Sequence, residues 1–149
     1  MTSEFHLADF ADTERLGARL AKMLRPGDAL CLTGPLGAGK TTLARGLIRA
    51  LTTPDEDAPS PTFTLVQVYD GPNFPIAHFD LYRLERAEEA YELGLDEALD
   101  DGAALIEWPQ RLGARLPPDR LDIDISLDDE GRRVRLVPHG SWKDRPLEF

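Results

Sequence analysis

The sequence is poor in several things, and each shortage excludes something. It has one cysteine, Cys31, so a disulfide within the chain is impossible. That residue stands in the apolar stretch "ALCLT" and reads as a small buried hydrophobe. The three histidines, His6, His78 and His139, are scattered, and no Cys/His cluster has zinc-ligand spacing. No apolar run reaches the length of a membrane span or a signal peptide, and acids lie among the first residues. A reduced, cytoplasmic protein is expected. Positive charge is also short: 17 Lys and Arg stand against 27 Asp and Glu, a net charge of −10. Nucleic-acid affinity rests mainly on Lys and Arg neutralising phosphates. The chain alone is therefore not expected to grip RNA or DNA. Repeats and low-complexity tracts are absent, and Pro and Gly fall at turns. At 149 residues and 42% hydrophobic, one domain with a real core (1–149) is expected.

The elements follow from periodicity. "EFHLA" reads as a short strand, and Asp12 to Leu24 as a helix capped by Asp12 or Thr13. Ala29 to Thr33 is a buried strand, and "KTTLARGLIRAL" a helix with Leu43, Leu47, Ile48 and Leu51 on one side. "TTPDEDAPSP" is a surface loop. "TFTLVQVYD" and "FPIAHFDLYRL" pair as a hairpin around "DGPN". Residues 85–101 carry eight acids and one base, Arg86, and read as a solvated helical face. Ala103 to Trp108 is a strand, "PQRLGARL" a short helix opened by Pro109, and a second hairpin turns at "DDEGR". Strands alternating with helices, plus hairpins, predict an α/β three-layer fold with a mixed, mainly parallel central sheet.

Between the strand ending at Thr33 and the helix opening at Lys40 lies "GPLGAGKTT". Gly, four residues, then Gly-Lys-Thr is the pattern of a nucleotide phosphate loop, in the strand–loop–helix context such a loop requires. Backbone N–H groups from Gly34 through Gly37, Ala38 and Gly39 to Lys40 can wrap phosphate oxygens, and the helix start adds its positive dipole end. Lys40 would reach the β and γ phosphates, and Thr41, followed by Thr42, would offer a hydroxyl to Mg²⁺. The only asparagine, Asn73, precedes Phe74, so no Asn-Lys-x-Asp guanine element is present. ATP is favoured over GTP.

A phosphate-bound Mg²⁺ usually needs a protein carboxylate as well. Asp80 ends "PIAHFD" and Glu107 ends "AALIE", each where a strand leaves the sheet. Ligands of such sheets sit outside the carboxyl ends of the strands. The residue pattern does not separate direct metal ligand from water-orienting acid. Ser60 and Thr62 flank Pro61 in "SPTFT", where a hydroxyl can sense the γ-phosphate or its metal; on local sequence alone, a plain turn is favoured. Trp108 reads from general burial habits as a core residue. His78 reads as a hydrogen-bonded strand residue.

Taken together, "GPLGAGKTTLARGL", "SPTFTLV", "HFDLYRL" and "IEWPQ" occur in the order and spacing of one family. The chain resembles the TsaE (formerly YjeE) family of small bacterial ATPases, needed for the threonylcarbamoyladenosine modification of tRNA. The resemblance runs from about Thr13 to the last hairpin. It implies that Lys40 and Thr41 hold phosphate and Mg²⁺, and that Asp80 and Glu107 are essential for turnover, at least one of them near the metal. It places Thr62 in a switch-like loop, Trp108 near bound nucleotide and Thr13 near the adenine end. It implies partners resembling TsaD, which transfers the threonylcarbamoyl group, and TsaB; the acidic charge of this chain suggests that those partners hold the tRNA. An isolated monomer is expected. Pro35 is a departure, since the family commonly has Asp there.

Two other readings compete with an ATPase. A small-molecule kinase on the same fold would need an acceptor pocket and usually an Arg-rich lid, whereas the loop before Thr62 is acidic. A nucleotide-dependent interaction module would show little turnover.

Overall fold

The computed structural model describes residues 2–35 and 37–147. One mixed sheet of seven strands organises them, in the order β1-β7-β6-β2-β5-β4-β3. These are β1 (Ser3–Leu7), β2 (Ala29–Thr33), β3 (Val66–Asp70), β4 (Pro75–Asp80), β5 (Ala103–Glu107), β6 (Arg120–Asp128) and β7 (Gly131–Pro138). The central four, β6, β2, β5 and β4, run parallel. The antiparallel pairs β3–β4, β6–β7 and β1–β7 extend the sheet on both sides.

The central strands are apolar on both faces because both faces are covered. On one face, Leu30, Leu32, Ile76 and Leu105 pack beneath α1 (Phe10–Ala21) and α2 (Lys40–Leu51) through Leu16, Leu20, Leu43 and Leu47. On the other, Ala29, Cys31, Phe79 and Ile106 meet Ala90 of α3 (Glu88–Glu92) and Leu95 of α4 (Leu95–Asp101). This is the expected three-layer α/β arrangement. Cys31 is wholly buried, and desolvation pushes its thiol up to about 12. None of the described helices is long and apolar enough to cross a membrane.

The structure corrects several boundaries. Helix α1 starts at Phe10 and is capped by Asp9, whose carboxylate accepts from the Asp12 N–H at 2.9 Å. Residues 62–65 form a turn rather than the start of a strand, with Leu65 at φ 69°. The following strand stops at Asp80 rather than running on to Leu84. The acidic stretch is two short helices, broken where Gly94 takes φ 95°. Strand β5 ends at Glu107, before Trp108. Pro109–Arg115 is 3-10 in character and is kinked at Gly113. A C-terminal 3-10 turn, Gly140–Asp144, that the periodicity does not reveal buries Trp142, while Arg145 clamps Asp28 through bonds of 2.6 and 3.0 Å.

Helices α1 and α2 approach so closely that glycine is required at both crossing positions. A Cβ on Gly17 would stand 2.2 Å from the Leu43 carbonyl oxygen, and one on Gly46 would stand 2.2 Å from that of Glu14. Gly46→Ala is expected to lower stability by roughly 1–3 kcal/mol, because overpacking outweighs the gain of up to ~1 kcal/mol in helix propensity. In a thermal melt this is a fall of several degrees; an unchanged melting temperature would show that the helices separate freely.

Candidate functional site

Strands β2, β4 and β5 are parallel, so their carboxyl ends open on one side of the sheet. The glycine loop leaves β2 there and turns into α2 at Lys40. Gly39 makes that turn as the helix N-cap at φ 114°, a conformation that side chains disfavour. The loop's Leu36, whose N–H belongs to the proposed phosphate cradle, lies outside the described residues. Asp80 and Glu107 close β4 and β5 and are register partners, both on the α1–α2 face by strand alternation. Register therefore places two carboxylates beside the start of α2.

The side chains converge on a cleft of about 460 Å³. It is lined by Gly37, Gly39, Lys40, Thr41, Thr42 and, across from them, Asp80, Glu107 and Trp108. Lys40, only 5% exposed, donates from Nζ to the Gly34 carbonyl at 2.8 Å. Burial holds its ammonium below the usual lysine range, an effect opposed by the negative charges of Glu107 and Asp80. The same Nζ lies 3.7 Å from the centre of the Trp108 ring, a cation–π contact. Trp108 reaches that position through a left-handed backbone (φ 61°, ψ 51°), strained for a bulky residue by roughly 1–3 kcal/mol. It is half-buried and lines the cleft while touching the adjoining core, so it is not the interior residue its type alone would make it.

The two acids differ in their partners. Glu107 receives the Thr41 hydroxyl on Oε1 at 3.4 Å, a long bond, and lies 2.7 Å from His78 Nε2 through Oε2. Asp80 is engaged at both oxygens: Oδ2 accepts from Ser60 at 3.1 Å and Thr62 at 3.3 Å, and Oδ1 accepts from the Tyr82 N–H at 3.1 Å. Leu65, in its left-handed conformation, closes the turn by donating to the Pro61 carbonyl at 2.7 Å and accepting from the Asp80 N–H at 2.9 Å. "SPTF" is thereby tied to the end of β4. Glu107 Oε1 is thus the carboxylate oxygen least held by protein donors.

Two of the expected residues do not line the cleft. Thr13 is fully buried, its hydroxyl donating to the Asp9 carbonyl at 3.2 Å, and it lies behind Gly39 rather than in the opening. Phe10, one turn earlier on α1, takes the cleft-facing position. Ala38 is buried, and its carbonyl accepts from Arg132 Nε at 2.7 Å. The Arg132 guanidinium also lies 4.1 Å from the Phe10 ring centre, so β7 anchors the glycine loop from behind. Arg132 shares the inward parity of Val134 and Leu136, and an arginine on an apolar strand face was the available signal. Nothing local marks Phe10 or Tyr82.

One lysine faces two carboxylates here, and the available ligand atoms are carboxylate and hydroxyl oxygens. Such a hard, electron-rich donor set suits a divalent ion such as Mg²⁺ when phosphate oxygens complete it. Among the described residues, no group of three or more His, Cys, Asp or Glu side chains could hold a metal unaided.

A sequence model described as "Threonylcarbamoyl adenosine biosynthesis protein TsaE" matches residues 7–135. Proteins named tRNA threonylcarbamoyladenosine biosynthesis protein TsaE are similar along most of their length. The Rickettsia felis protein is 38% identical, with 93% of this chain and 81% of that protein covered. The Bacillus subtilis protein is 39% identical, with 87% and 82% covered. The Streptomyces coelicolor protein is 43% identical, with 82% and 85% covered. The crystal structure of Bacillus subtilis YdiB superposes with a TM-score of 0.80 at 31% identity, over 96% of this chain and 90% of that one. With sequence and fold matching over the same wide extent, the chain belongs to the TsaE family.

Proposed function

We propose that this chain binds ATP with Mg²⁺ in the cleft, hydrolyses it to ADP and phosphate, and does so in support of partner proteins that make threonylcarbamoyladenosine in tRNA. The observation that carries this reading is the meeting of Lys40, Thr41, Asp80 and Glu107 where the glycine loop enters α2. Loop N–H groups and the α2 start orient the phosphates, and Lys40 offsets their charge. Its ammonium must exchange the Gly34 carbonyl for phosphate oxygen. Thr41 and Glu107 Oε1 would hold the ion, which when bound neutralises charge developing on the phosphoryl oxygens. Asp80 keeps Ser60 and Thr62 at the phosphate end, while Tyr82 and Trp108 screen the site from water.

The partners are proteins resembling TsaD and TsaB, with TsaD carrying out the transfer. The test is phosphate release from ATP by the purified chain, with and without those partners and with added small metabolites. Release that rises with partners is expected. Phosphate transfer to a metabolite instead would overturn the reading in favour of a kinase, and ATP binding with no release under any condition would leave an interaction module. The net charge of −10 also predicts that the purified chain does not retain tRNA at physiological salt in a gel-shift assay. Tight, salt-sensitive binding would reveal a basic surface that works against the overall charge.

A further inference from the structure

His78 takes no part in the functions proposed above, yet it is wholly buried and lies 2.7 Å from the Glu107 carboxylate. It comes from the interior of β4, two residues before Asp80, and reaches diagonally across to the end of β5. Its other ring nitrogen, Nδ1, is buried and has no hydrogen-bond partner among the described residues. That asymmetry selects a tautomer. A proton on Nε2 is donated to Glu107 Oε2, and the bare Nδ1 lone pair then meets a setting that offers it nothing. A proton on Nδ1 would instead be a buried, unsatisfied donor, and would leave the Nε2 lone pair facing a carboxylate lone pair. The consequence falls on Glu107. With Oε2 fixed from within the sheet, its second oxygen is turned toward Thr41 Oγ1, the other oxygen proposed to hold a cation.

We propose that His78 is a positioning residue: its Nε2–H locks one oxygen of Glu107 so that the other is presented, with the Thr41 hydroxyl, to a divalent ion. This inference rests on the reading of the cleft as a metal–nucleotide site. An imidazole that orients a carboxylate from behind restricts it to one rotamer before the ion arrives, so removing the imidazole weakens ion binding rather than nucleotide binding.

The test compares the parent with His78→Leu, which removes the donor, and His78→Gln, whose side-chain amide can place an N–H near the former Nε2. Mn²⁺ is titrated into each protein saturated with a non-hydrolysable ATP analogue and followed by electron paramagnetic resonance. Nucleotide affinity without metal, turnover and the circular dichroism spectrum are measured alongside. His78→Leu is expected to weaken Mn²⁺ binding roughly 10- to 100-fold, with a parallel loss of turnover and little change in metal-free nucleotide affinity. His78→Gln is expected to restore most of the Mn²⁺ affinity. Nitrogen-15 NMR of the parent imidazole is expected to show the proton on Nε2. Unchanged Mn²⁺ binding in a folded His78→Leu protein, failure of glutamine to restore it, or a proton on Nδ1 would each overturn the proposal. If His78→Leu does not fold, the glutamine variant and the NMR tautomer decide by the same criteria. A parent protein that binds no metal–nucleotide complex would overturn the functional reading, and this inference with it. A parent that binds one normally, beside an unaffected leucine variant, would overturn only the role of His78.

Discussion

Glu107→Gln is expected to slow phosphate release by about a thousandfold, a barrier increase of about 4 kcal/mol at ~1.4 kcal/mol per factor of ten, while nucleotide affinity falls far less. Most ground-state affinity should come from loop N–H groups, Lys40 and contacts to the base, all of which the variant keeps. The carboxylate's negative charge matters most as charge moves in the transition state. Glutamine has nearly the size of glutamate, and its carbonyl can still accept from His78, so the fold should persist. Asp80→Asn is expected to be milder. Both Asp80 oxygens already serve protein donors, and the Ser60 and Thr62 hydroxyls can rotate to accept from an amide. Phosphate release, nucleotide titration and thermal melting on each variant beside the parent would check this. A Glu107→Gln protein with parental turnover would reduce Glu107 to an ordinary strand-end residue. One that unfolds would make its role structural.

Lys40→Ala is expected to lower ATP affinity about 100-fold or more, equivalent to losing one or two charge-assisted hydrogen bonds of roughly 1.5–3 kcal/mol each. The fold should tolerate the change. The ammonium is desolvated, and among the described residues it bonds only a carbonyl and an aromatic face, with no carboxylate in direct contact. Its removal also takes away the positive charge that couples to Asp80 and Glu107, so the cleft would favour a polyphosphate less. Calorimetric titration gives the readout. Unchanged affinity and turnover would remove Lys40 from phosphate binding.

The parts of the site that could be read from sequence are those fixed by local rules. A strand, a glycine-rich turn and a helix with Lys and Thr at its start form one contiguous segment, so α2 appears with its expected bounds at Lys40 and Leu51. Asp80 and Glu107 are legible because each ends an apolar strand. What escaped depends on distant pairing. The carbonyl of Ala38 is held by Arg132 from the last strand, and the His78–Glu107 pair exists only because β4 lies beside β5 in a particular register. Thr13 carries a hydroxyl suited to a ligand, but its spacing from Leu16, Gly17 and Leu20 puts it on the buried face of α1. Trp108 is misread from its residue type alone, though not from the family resemblance, for another reason. A left-handed residue followed by Pro109 runs against local preference, and only the surrounding packing enforces it.

The strand order has a consequence for how the chain acquires its site during synthesis. Strand β5 lies between β2 and β4 although it follows both in sequence. A growing chain that has completed its glycine loop, α2 and the β3–β4 hairpin still lacks the strand that joins them. The two halves are joined in one sheet only through residues 103–107, which pair with β2 on one side and β4 on the other. Such non-local parallel pairing is slow to form, because the chain must close a long loop before any contact rewards it. The phosphate loop is therefore synthesised well before the carboxylate opposite Thr41, and the two come together only when the middle strand takes its place between β2 and β4.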